Sequence, residues 1–287
     1  MPRKKTGRAA GAFDQRTKRS TRAAFTLLEL MIALTVTSGL VVILGGIMTA
    51  SATAQRHTEG VATAISHGET ALRRVRTAVG SAGVYEVSAG QRICGIAVVP
   101  TTVESTTLPD TLVVWTGDGS LADGDPLERL PLASELTVFA PGVGDAHRID
   151  EISFPSATGE VDFAAADFAA TIRALVASAD AVRTRLTDRL RRAEMPAGTM
   201  VGALRFQIIA QPTDAEIAAA TDEASWTALN WAGGFGGSST GLQEISVTTE
   251  LQLHLFDPDG PNDAGVAAGG SLPLFGSASR RYLVERN

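Results

Sequence analysis

Few residues in this 287-residue chain offer chemistry, and each group has a plain alternative use. Gly237-Ser238-Ser239-Thr240-Gly241 matches the Gly-x-Ser-x-Gly string of a nucleophile elbow, whose serine attacks acyl groups from a sharp turn between a strand and a helix. Here a Gly-rich stretch precedes the string and a strand pattern follows it, so it reads as a turn. Two acidic stretches, Asp118 to Asp125 and Asp257 to Asp263, carry oxygen ligands of the kind calcium prefers. A calcium loop opening at Asp257 needs Glu at its twelfth position, and Ala268 stands there, so Asp-Pro-Asp-Gly turn chemistry is the favoured reading. Asp257, Asp259 and Asp263 remain secondary metal candidates. The four histidines (His57, His67, His147, His254) are scattered without ligand spacing, and Cys94 is the single cysteine. The lysines all fall within the first 18 residues, which removes P-loop, Schiff-base and Ser-x-x-Lys chemistry from the rest of the chain. Neither an enzyme nor a cofactor is expected.

Charge is divided unevenly along the chain. Residues 1–22 hold eight basic side chains and one acidic one, a net of +7. The remainder carries 17 basic and 30 acidic groups, a net of −13, so the total of −6 averages two unlike segments. An acidic body repels phosphate backbones, and nucleic-acid partners are not expected.

One acidic residue sits where its cost is highest. From Phe25 to Ala50 runs FTLLELMIALTVTSGLVVILGGIMTA, 26 residues whose only charge is Glu29. At about 1.5 Å per residue such a helix crosses a hydrocarbon core of about 30 Å. The basic flank before it and its near absence after it place the N-terminus in the cytoplasm and the bulk of the chain outside. A secretory signal peptide is one alternative, with Ala-x-Ala sequences at 50–52 and 52–54, although its apolar region should be about 7–15 residues long and uncharged. A plain membrane anchor is another, and it leaves Glu29 as an unexplained cost of up to ~3 kcal/mol.

The basic leader followed by Phe-Thr-Leu-Leu-Glu-Leu-Met-Ile-Ala, Phe25 to Ala33, resembles the type IV pilin and pseudopilin family. The resemblance implies that a prepilin peptidase cuts between Ala24 and Phe25 and methylates the new amine of Phe25. It further implies that Glu29, fifth in the processed chain, pairs with the α-amino group of a neighbouring subunit as a filament assembles. The family usually has Gly before the cut bond, where this chain has Ala24. Some pseudopilins bind calcium near the C-terminus, which is the family argument for Asp257, Asp259 and Asp263. The size of the chain suggests a minor subunit, most like the larger J-type pseudopilins of type II secretion or the W-type minor pilins of type IV pili. The implied partners are the prepilin peptidase, other pilin or pseudopilin subunits and the inner membrane. A membrane-anchored extracytoplasmic enzyme or binding domain without filament assembly is the alternative.

The helix is expected to continue past the membrane. Val61, Ile65, Gly68, Leu72, Val75 and Val79 follow helical spacing, and Gly80 and Gly83 end the pattern. Strands are expected at Ile93–Val99, Thr111–Trp115, Leu136–Phe139 and 204–211, with a twelve-residue alternation from Glu244 to Leu255 and an edge strand at Tyr282–Val284. Between them, Phe168, Ile172, Leu175, Ala179, Val182, Leu186 and Leu190 suggest a helical insertion over about 162–194, clad by Arg173, Arg183, Arg185, Arg189, Arg191 and Arg192. That arginine face packs on the sheet or meets an acidic neighbouring subunit. A capping box at Thr213 and Glu216 opens a further helix running to about Asn230, with Trp226 and Trp231 as packing residues. The expected fold is α+β: a long N-terminal helix packed on an antiparallel sheet domain with a helical insertion. Its segments are a leader (1–24), a membrane part (25–50), an amphipathic part (51–80) and a β-rich extracytoplasmic domain (84–287).

Overall fold

The computed structural model describes residues 26–88, 91–117, 129–255 and 270–286. The chain is an α+β protein: a long N-terminal helix followed by antiparallel sheets. Helix α1 spans Leu27–Gly80, 54 residues, close to the length its pattern predicts. Two compact units divide at Ala54/Gln55. The first contains the apolar part of α1; the second contains residues from Gln55 onward.

In the second unit the strands are β1 (Val84–Ser88), β2 (Gln91–Cys94), β3 (Ile96–Val103), β4 (Thr106–Trp115), β5 (Leu136–Gly142), β6 (Asp145–Ser153), β7 (Val182–Thr187), β8 (Arg192–Glu194), β9 (Met200–Gly202), β10 (Leu204–Gln211), β11 (Thr240–His254) and β12 (Ser271–Glu285). Strands β3 to β7 form a five-stranded antiparallel meander, and β10 to β12 a three-stranded antiparallel sheet. Hairpins β1–β2 and β8–β9 complete the set. Helices α2 (Phe168–Ala177), α3 (Asp214–Ala219) and α4 (Glu223–Thr227) fill the connections.

Alternation along β4 divides the core in two. Leu112 and Val114 join Phe139, Ile149, the buried side of α1 and the inner face of β10–β12. Val113 and Trp115 point the other way, with Val138 and Ile152, into a second cluster roofed by Phe168 and Ile172 of α2. A strand buried on both faces loses polar alternation, which is why Thr111–Trp115 reads as a continuous apolar run.

The outer part of α1 docks through small residues rather than the large ones its periodicity suggests. Gly60, Ala64, Gly68, Ala71, Val75, Ala78 and Val79 are buried, while Val61 and Leu72 lie at the margin and Ile65 is exposed. Close approach to the sheet explains the shift: a Cβ on Gly60 would collide with the carbonyl oxygen of Leu255, and one on Gly68 with Leu274. Arg74 on the exposed side donates through Nε to Glu151 of β6 at 2.8 Å.

The helical insertion is shorter than expected. Only Phe168–Ala177 is helical; 182–187 is strand β7, paired with β6, and 192–194 is strand β8. Val182, Thr184 and Leu186 satisfy a period of two as well as a helical stripe, and the open edge of β6 decides between them. The arginines therefore form no helical face. Arg173 caps the Pro100 carbonyl, Arg183 the Val176 carbonyl and Arg189 the Leu255 carbonyl; Arg185 pairs with Asp188, and Arg191 reaches Gln252.

Other expectations change in detail. The strand at Ile93–Val99 is broken at Gly95, which has no room for a side chain beside Trp115. The edge strand at Tyr282–Val284 is part of the fifteen-residue β12, which pairs with β11 along its whole length. The helix expected from Thr213 to Asn230 is two helices, because Asp222 recaps the chain by accepting from the Ser225 N–H at 2.7 Å.

Candidate functional site

The first turn of α1 carries the residue that composition singled out. Thr26 is the first described residue, and the helix starts after it. The Glu29 carboxylate accepts the Thr26 backbone N–H at 3.0 Å and the Thr26 hydroxyl at 3.1 Å, while the Glu29 N–H donates back to Thr26 Oγ1 at 3.3 Å. This is a reciprocal capping box. Two donors left open at a helix start are thereby satisfied, and the carboxylate lies at the positive end of the helix dipole.

Between Glu29 and Gln55 helix α1 carries no charged side chain. Large side chains from Leu27 to Met48 are more than half exposed, among them Leu27 at 78% and Val42 at 74%. The described residues from 26 to 54 are all exposed. This is the one helix long and apolar enough to cross a membrane among the described residues. Hydroxyls along it turn back onto the helix: Thr35, Thr37 and Thr49 donate to the carbonyls of Met31, Ala33 and Gly45, at 2.8, 2.7 and 2.6 Å. Back-bonding of this kind is how a hydroxyl enters hydrocarbon without an unmet donor. Gly39, Gly45 and Gly46 have open space where a Cβ would stand.

Ala24 and Phe25, the predicted processing residues, lie outside the described residues, as do Asp257, Asp259, Asp263 and the stretch from Asp118 to Asp125. The described residues contain no group of three or more His, Cys, Asp or Glu able to hold a metal. His147 donates through Nδ1–H to the Leu190 carbonyl, 2.9 Å away, and its ring stands edge-on to His254 at 5.7 Å. Cys94 is buried, and burial pushes its thiol up to about 12, far from a reactive thiolate.

Geometry also accounts for the Gly-x-Ser-x-Gly string. Gly237 N–H donates to the Thr240 carbonyl at 2.7 Å, closing a tight turn into β11. Gly241 is required because the Trp231 ring occupies the space its Cβ would need. Ser239 is exposed, and its carbonyl accepts the Arg286 N–H at 2.8 Å. Strand follows the serine, whereas an elbow requires a helix. Trp226 and Trp231 are buried against each other at a ring separation of 4.8 Å.

Sequence reasoning missed a cleft of about 700 Å³ in the second unit, lined by residues of β2, β3, α3, α4 and the inner face of β10–β12. Its floor is a closed polar chain: Tyr282 OH donates to Gln243 Oε1 at 2.5 Å, and Gln243 Nε2 donates to the Pro212 carbonyl and to Asp214 Oδ1, both at 2.8 Å. Burial raises the Tyr282 phenol well above its ordinary value, so it stays a donor. The one sequence signal was Gln243, a polar residue at an inward position of the long alternating strand. Comparison with family models, with curated proteins and with solved structures finds no match to this chain.

Proposed function

We propose that the chain is a minor pilin or pseudopilin, a non-enzymatic subunit of a type II secretion pseudopilus or a type IV pilus. Prepilin peptidase removes residues 1–24 and methylates Phe25, and the apolar part of α1 holds the subunit in the inner membrane with its body outside. Neighbouring subunits then associate through that helix and Glu29.

The observation that carries the reading is a single carboxylate, Glu29, at the start of an apolar stretch of α1 that has no other charge up to Ala54 and is exposed throughout. In hydrocarbon an ionisable side chain calls for a partner. Thr26 supplies neutral donors to Glu29 and no positive charge. An amine from another subunit fills that role without disturbing the cap. Cutting after Ala24 keeps Thr26, so the capping box survives processing.

Co-expression with a prepilin peptidase in a host lacking one tests the reading. A loss of mass matching residues 1–24 supports it; an unprocessed chain in the presence of active peptidase contradicts it.

The cleft in the second unit favours a second reading, a membrane-tethered binding domain that does not assemble. A chain that binds a ligand and never enters a filament would support it.

A further inference from the structure

The inner face of β10–β12 has two kinds of cover. Helix α1 lies over one end, from Gly60 against Leu255 to the Gly80 carbonyl, which accepts from Arg280 at 3.3 Å. Past the end of α1 that cover lapses. Leu204 and Phe206 of β10 are 5% and 1% exposed, whereas Ile208 and Ala210, which alternate onto the same face, stay only half-buried. The 700 Å³ cleft opens there, with Ile93, Ile96, Ile217 and Trp226 among its walls. A volume of this size is that of a small-molecule site, for which about 300–1,000 Å³ is usual.

Polar groups in the lining are already matched to one another. Arg92 pairs with Glu285 at 2.8 Å and donates to the Leu283 carbonyl at 3.1 Å. Gln243 directs its amide hydrogens to the Pro212 carbonyl and to Asp214, and its oxygen accepts from Tyr282. Arg286 is faced by Asp222, the cap of α4. Among the described residues the lining sets Arg92 and Arg286 against Asp214 and Glu285, so it carries no net charge.

This balance narrows the class of ligand. An ion entering the cleft would lose hydration and meet no unbalanced opposite charge. An apolar molecule would gain, because its own surface and that of the half-buried walls leave water together. We infer that the cleft binds a small uncharged apolar molecule, seated against Ile208, Ala210 and Ile217 and the rings of Phe163 and Trp226.

The inference is independent of filament assembly. Its test uses the full chain in lipid nanodiscs, with 5-fluorotryptophan in place of its three tryptophans, titrated with naphthalene and followed by fluorine NMR. Empty nanodiscs supply the correction for partition into lipid. Trp226 lines the cleft, and Trp115, in the second core cluster, is the internal control. Expected is a saturable shift of the Trp226 resonance, shared at most with Trp231 packed on it, and none at Trp115. Naphthoate and naphthylmethylammonium should each bind more weakly by about tenfold or more, because either charge must be desolvated. Ala218→Phe should fill the cleft and abolish the shift; if it lowers the melting temperature, the ranking of the three naphthalenes on the unaltered chain decides. A Trp226 shift that does not saturate, an equal shift at Trp115, a charged naphthalene binding as well as the neutral one, or a shift that survives in folded Ala218→Phe overturns the inference.

Discussion

Glu29 and Thr26 satisfy each other at the start of α1: the carboxylate takes the Thr26 N–H and hydroxyl, and the Thr26 hydroxyl takes the Glu29 N–H. One residue can thus serve two purposes that substitution separates. A capping box accepts Gln in place of Glu, because it needs an acceptor and not a charge. Pairing with a neighbour's amine needs the charge.

Glu29→Gln is therefore expected to keep helicity and membrane insertion while abolishing co-assembly with other subunits. Glu29→Ala should also lose about 1 kcal/mol of cap stability. Circular dichroism in detergent and co-purification with partner subunits check the two parts. Normal assembly of Glu29→Gln would show that Glu29 only caps the helix.

Docking of the outer part of α1 depends on its small residues. Gly68→Val should destabilise the body by about 1–3 kcal/mol or more, because the added carbons meet Leu274 and Leu253. Gly39→Ala adds a methyl where nothing stands within 4 Å and should leave the melting temperature of the body unchanged. Thermal unfolding followed at the tryptophans compares them.

Two buried carboxylates give opposite pH effects. Arg129 at 2.6 Å holds Glu135 below the usual carboxylate range, with help from the Leu132 N–H and the Trp115 indole. Its stabilisation is complete above the unfolded carboxylate value of about 4.3 and fades as pH falls through the lower folded value. Asp110 is raised by burial, against the pull of its bonds from Thr101 and Thr111. Its folded form holds a proton more readily, so its contribution is best below about 3.9 and is lost as pH rises through the folded value. Asp110→Asn should accordingly raise the melting temperature near neutral pH, and Glu135→Gln should lower it there with less effect in acid. Melting curves between pH 3 and about 7 cover the carboxylate range and test both signs.

Ser239→Ala should change neither stability nor any activity. Gly241→Ala, two residues on, should cost about 1–3 kcal/mol because its methyl meets Trp231. A loss of function in Ser239→Ala with stability intact would reopen the hydrolase reading.

Helix α1 and strand β11 are legible in the sequence because each has one uninterrupted pattern, apolar for the first and of period two for the second. Strand β6 is not, since His147, Arg148, Asp150 and Glu151 interrupt its apolar positions and Asp150 is buried beside Arg148. Strand β7 carries two periods at once, and only the edge of β6 selects one. The Thr26 to Glu29 box has the Thr-x-x-Glu spacing of a capping signature, but the apolar residues on both sides of it mask the helix start in the sequence. The cleft could not be read at all, because it is assembled from β2, β3, α3, α4 and three strands that meet only in space.

The most direct test of the assembly account is the mass of the mature N-terminus on chain extracted from native membranes. A peptide beginning at N-methylated Phe25, from a chain of 263 residues, is the predicted result. An intact leader, or a start at Thr53 or Gln55 from signal-peptidase cleavage, would contradict it.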